Sequence, residues 1–182
     1  MERRGVRRCV MPPHWPAAWR GGLQPVEEQN LRQAVLPRLL EGLCRERRLE
    51  LGGATALLSA PFAGQGVWAA ADLLARRSRY LILSVEGGEE LRRQLWRRYG
   101  VSPVTAGHPS LQVCFGQPVE RVPALLLGPD CQRRQTVTYG LPARLHRALE
   151  GREVTSQLVC ALWESGAVPA EEIQVRSLGF RP

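Results

Sequence analysis

Apolar residues recur along this chain at two different periods. From Pro25, "PVEEQNLRQAVLPRLLEGLCRERR" places Leu31, Val35, Leu36, Leu39, Leu40 and Leu43 at three- and four-residue steps, which predicts helix. Pro25 suits a first helical turn. Pro37 does not suit an interior, because it lacks an N–H and its ring clashes with the preceding turn. It predicts a kink, or two short helices with Pro37 opening the second. The run "ATALLS" (54–59), behind Gly52-Gly53, is compact and apolar, as a buried strand is. Residues 67–77 return to helical spacing with Ala70, Leu73 and Leu74 inward. "RYLILSVE" (79–86) predicts a strand. "GGEELRRQLWRRYG" predicts a helix with Leu91, Leu95, Trp96 and Tyr99 on one face and Gly100 as its C-terminal cap.

The second half alternates more thinly. "VSPVT" (from Val101), "LQVCF" (111–115), "PALLLG" (123–128), the polar "QTVTYG" (135–140) and "EIQVRSL" (172–178) are strand candidates. Pro142 opens a short helix to Leu149, and a longer one runs over 154–164 to Gly166. Strands alternating with helices of this length imply parallel pairing, since parallel neighbours need crossover connections. Continuous apolar strands imply cover on both faces. The expectation is an α/β fold: one three-layer domain over 25–182 with a mostly parallel sheet. A kinked helical segment precedes it, and residues 1–24 form a flexible arm.

Within that frame one turn stands out. "SAPFAGQGVWA" lies between a predicted strand and a predicted helix, and Gly64, Gly66 and Ala69 satisfy G-x-G-x-x-[G/A]. Glu86 closes the next strand, 20 residues after Gly66. Over about residues 54–86 this resembles the dinucleotide-binding fingerprint of the NAD(P)-binding Rossmann superfamily, and it makes the core over about 54–128 Rossmann-like. The resemblance implies a cofactor site of Gly64, Gln65, Gly66, Val67, Ala69 and Glu86. Gly64 would turn the chain sharply and Gly66 would admit a pyrophosphate to the amides of the helix N-terminus. Ala69 would let helix and strand pack closely, and Glu86 would bind a ribose diol, favouring NAD. Pro61 and Phe62 lengthen the turn beyond the superfamily's pattern, and Trp68 adds bulk beside the amides.

Composition changes this picture mainly by exclusion. The net charge is +8, yet all 25 basic residues are Arg, and Ile, Asp and Asn are also scarce. That joint shortage is the mark of a GC-rich coding bias, so the charge reads as solvated surface and nucleic acid is not an expected partner. Without Lys there is no Schiff-base lysine, no Walker lysine and no Tyr-x-x-x-Lys pair. G-x-S-x-G is absent. Five cysteines at wide spacings, with no CxxC and only three histidines, predict free thiols and no metal site. Cys114 and His108 could be paired as thiol and imidazole only across a loop; core cysteine is the simpler reading. His146 reads as a surface imidazole, and Asp130, Arg133 and Arg134 as a polar loop that reaches a sheet's ligand-binding end. The helix pair over 142–164 carries no Arg between Glu153 and Arg176, which leaves a DNA-reading helix without phosphate anchors.

"MERRGVRRCV" has a signal peptide's charge without the apolar stretch behind it, and no run approaches the ~20 residues of a membrane span. A cytoplasmic chain is the expectation. Two functions remain open: a nucleotide-binding sensor or regulator built on the turn, and a non-catalytic interaction scaffold. In the second, Arg92, Arg93, Arg97 and Arg98 would meet an acidic protein.

Overall fold

The computed structural model describes residues 8–11, 24–129, 131–149 and 151–180. Arg8–Cys9 (β1) pairs in parallel with Gln24–Pro25 (β2). Met11 is buried, and its amide donates to Gln157 Oε1 at 2.8 Å. The part of the expected flexible arm that is described is therefore docked; residues 1–7 and 12–23 lie outside the described residues. Pro25 belongs to that short pairing and not to a helix.

Helices α1 (Gln29–Ala34) and α2 (Leu36–Arg47) meet at Val35, with Pro37 in the first turn of α2. There the missing N–H costs nothing, because first-turn amides have no intrahelical acceptor. The predicted apolar stripe, Leu31 to Leu43, is fully inside, each leucine contributing roughly 1.5–3 kcal/mol on burial.

Strand β3 (Thr55–Ala60) leads to α3 (Gln65–Arg77), β4 (Tyr80–Val85) and α4 (Glu89–Tyr99). After α4 the chain returns only as a bridge, Val104 beside Ile82, where a strand from Val101 was predicted. Then β5 (Leu111–Cys114) pairs with the opposite edge of β3, and β6 (Ala124–Leu126) pairs with β5. The result is a four-stranded parallel sheet in the order β4-β3-β5-β6. The α/β class and parallel pairing match the sequence reading.

The layering does not. Ala56, Leu58, Leu81, Leu83, Leu111 and Val113 share one core with the inward residues of α1 to α4, whereas Leu57 and Ile82, pointing the other way, lie outside it. The helices thus cover one face. Opposite them, the loop after Val104 crosses Ile82 at Gly107. Residues 116–122 fold back on Gln112, whose Oε1 accepts from the amides of Val119 and Glu120. The outward steps through α3 and α4 use one face and the return to β5 and β6 uses the other, as a single crossover hand requires. Among the described residues, loops and the short helix α5 (Cys131–Arg134) form the second cover, and the three-layer expectation becomes one helical layer on a sheet.

The chain ends in a separate antiparallel pair, β7 (Gln135–Gly140) and β8 (Gln174–Phe180), spanned by α6 (Ala143–Ala148) and α7 (Ser156–Glu164). Thr155 caps α7, its Oγ1 accepting from the Leu158 amide at 3.2 Å. Val137, Tyr139, Val159 and Leu178 join the same core as the helical layer. Among the described residues no helix is long and apolar enough to cross a membrane.

Candidate functional site

Strand order reverses on either side of β3: the chain moves to β4 on one flank and reappears as β5 on the other. Such a reversal leaves an opening at the C-terminal strand ends. A cavity of about 320 Å³ occupies that place. Its walls are Pro61, Phe62 and Gly64 after β3, Gly66 and Val67 in the first turn of α3, Phe115 after β5, and Pro129 after β6. Gln29, Asn30 and Gln33 of α1 form its roof.

The floor is set by the start of α3. Gly64 is the N-cap, and its amide donates to Phe62 O at 3.1 Å while its carbonyl accepts from Trp68 N at 3.1 Å. The next three amides, Gln65, Gly66 and Val67, have no acceptor among the described residues. They are the unsatisfied donors every helix start leaves, and a helix of 13 residues sets its positive dipole end behind them. Trp68 is not among the residues that line the cavity. It is half-buried, and its indole N–H donates to Ala63 O at 3.2 Å.

The structure brings Gly64, Gly66 and Val67 to the cavity and leaves the other predicted residues outside its lining. Gln65 is exposed beside it. Glu86 is exposed in the turn after β4, its amide donating to Ala60 O at 3.4 Å, so it stands on the far flank of β3 from the cavity. Two of the roles assigned to the turn are corrected. Gly64 has φ −83° and ψ 171°, an extended conformation open to any residue, so no sharp turn depends on it. Ala69 faces solvent and does not pack on the strand, because a helix starting at Gln65 turns Val67, Ala70, Ala71 and Leu74 inward. Gly66 does need its missing side chain, but for a neighbour in the chain: a Cβ there would collide with Gln33 Oε1 and stand 3.0 Å from Phe115 Cε1.

Other candidates resolve as follows. Cys114 is fully buried, His108 is exposed, and the thiol donates to Gln112 Oε1 at 3.4 Å. Burial pushes that thiol up, the opposite of an activated nucleophile. His146 Nε2 lies 3.3 Å from an Arg176 nitrogen. Asp130 lies outside the described residues. Arg133 is exposed on α5, and Arg134 is bonded to Gln117 Oε1. No group of three potential metal ligands occurs among the described residues. On α4, Arg92 donates to Leu83 O, Arg93 pairs with Glu90 and Arg98 with Asp72, so most of the arginine set is already engaged. Trp96, predicted inward, is 63% exposed beside Arg97, since it lies a quarter-turn past Leu95.

Sequence reasoning missed Gln29, Asn30, Gln33, Phe115 and Pro129. Nothing local marks them, because they reach the cavity only through the packing of α1 over the sheet's end. Phe62 was in view, but as an interruption of the fingerprint. Comparison with protein-family models, with curated proteins and with solved structures gives no match for this chain.

Proposed function

We propose that this protein binds a nucleotide-containing ligand, NAD foremost, in a sensing or regulatory role, on a Rossmann-like arrangement of β3, α3 and β5. One observation carries the reading: three uncommitted amides at the start of α3 border an open cavity where the strand order reverses. A pyrophosphate would take those amides and the dipole behind them, and Glu86 would accept from a ribose hydroxyl on the β4 side. Among the described residues no acid–base pair lines the cavity, and the reading is one of binding.

The test is thermal melting with NAD, NADH, NADPH, ATP and S-adenosylmethionine in excess. A ligand at 100 times its Kd adds about 2.7 kcal/mol of stability. Gln65→Glu supplies the control: an acid in the first helical turn favours the helix but repels phosphate. The expected outcome is a ligand-dependent rise in Tm in the native chain, lost in Gln65→Glu with basal Tm kept. A melt unmoved by every compound ends the proposal.

The alternative is a non-catalytic scaffold that holds no cofactor. Its support is Gln33, which fills the space beside Gly66 with the protein's own carboxamide. On that reading Arg97 and Trp96 would be the centre of a surface for an acidic partner.

A further inference from the structure

The ten described residues that line the cavity include no charged side chain. In a chain with 25 arginines this is a distinctive wall, and it separates the cavity chemically from the amides beside it. Among the described residues a phosphate has no cationic side chain to meet inside. Two aromatic rings do line the space. Phe62 is 68% exposed at the mouth, and Phe115 is buried at the end of β5. Above them are three carboxamides. Gln33 Nε2 donates to Leu127 O at 3.4 Å, which leaves its Oε1 without a partner, and the amides of Gln29 and Asn30 make no hydrogen bond among the described residues. Each carboxamide offers a donor and an acceptor in one plane.

From this chemistry we infer that the cavity is a nucleobase subsite: a neutral heterocycle stacks on Phe62, and its polar edge is read by Gln29, Asn30 and Gln33. Volume agrees, since about 320 Å³ lies at the small end of ligand pockets and fits a base with its sugar. An apolar ring without edge donors or acceptors would offer these carboxamides no partner, which a site of this kind disfavours. The inference rests on the nucleotide reading above and adds which part of the ligand enters the cavity.

The two claims separate by probe. Uncharged nucleosides (adenosine, guanosine, cytidine and uridine) address the cavity alone; inorganic pyrophosphate addresses the amides alone. Binding to the full chain is followed by melting and by titration of intrinsic tryptophan fluorescence. At least one nucleoside is expected to bind. Phe62→Ala should weaken it about tenfold, the usual worth of a base–aromatic stack, and Asn30→Leu should weaken it as well. Both positions are exposed, so the variants should melt like the native chain. Nucleosides that bind while pyrophosphate does not would sustain the base subsite and overturn the phosphate cradle. Pyrophosphate that binds while no nucleoside does would overturn the subsite and leave the cradle. Nucleoside binding that persists unchanged in both variants would also overturn it, because the base would then lie elsewhere.

Discussion

Arg32 is completely buried, and all five of its N–H groups find acceptors. Nε and Nη2 reach Glu28 Oε2 at 3.2 and 2.8 Å, Nη2 also reaches Gln135 O at 2.5 Å, and Nη1 reaches Leu126 O and Gln135 Oε1 at 3.4 and 3.5 Å. Gln135 in turn binds the free edge of β6, accepting from Leu126 N and donating to Ala124 O, each at 3.0 Å. One guanidinium therefore ties α1 to the edge of the parallel sheet and to the first residue of β7. An isolated buried charge is costly, so removing one member costs more than the pair contributes. Arg32→Met should lower unfolding free energy by about 3–5 kcal/mol, read from the urea midpoint at constant m. A loss under 1 kcal/mol would mean that water or a neighbour replaces the guanidinium. In the sequence Arg32 is one arginine among 25, and only its position on the leucine stripe's flank hinted that it points inward.

Elements were legible where a local rule fixes them. Pro37 marks the junction of α1 and α2, and the apolar runs mark β3 and β4, to within a residue or two. Gly100 ends α4 with φ +66°, its amide donating to Trp96 O at 2.8 Å, as a left-handed cap does. Where partners are distant in sequence, local rules say little. Gln135–Gly140 reads as polar because one face is wet, and nothing in it names β8 as an antiparallel partner about 40 residues away. The loops on the sheet's second face have no period at all. The need for glycine at 66 is of the same kind: a motif supplies spacing, but Gln33 decides what Gly66 must avoid. Two glycines allow a direct comparison. Gly100→Ala should cost roughly 1 kcal/mol, because an L side chain is strained at that positive φ. Gly64→Ala should cost less, its backbone being unstrained and its one close neighbour the exposed ring of Phe62, 3.1 Å away. Chemical denaturation of the pair decides it, and equal losses would refute the conformational account.

At the scale of the whole molecule, burial has placed weakly acidic groups where their ionisation is disfavoured. Desolvation pushes the thiols of Cys114 and Cys160 and the phenol of Tyr139 up from their ordinary values of 9.0, 9.0 and 10.0. The Tyr139 hydroxyl also has no hydrogen-bond partner among the described residues, so no acceptor there offsets its burial. The unfolded chain releases these protons at the ordinary values and the folded chain keeps them. Above pH 9 the unfolded state therefore binds fewer protons than the native one, and stability falls as pH rises. Below pH 8 both states hold the protons, and these groups contribute no slope. Each group adds up to about 1.4 kcal/mol per pH unit while only the unfolded state ionises. Tm should accordingly be level with respect to these groups between pH 7 and 8 and drop steeply from pH 9 to 11. Cys160→Ala and Tyr139→Phe should each make that descent shallower, whatever they do to stability at neutral pH. If both variants descend as steeply as the native chain, the two side chains exchange protons with solvent in the folded state, and the core that joins the β7–β8 pair to the helical layer is open to water.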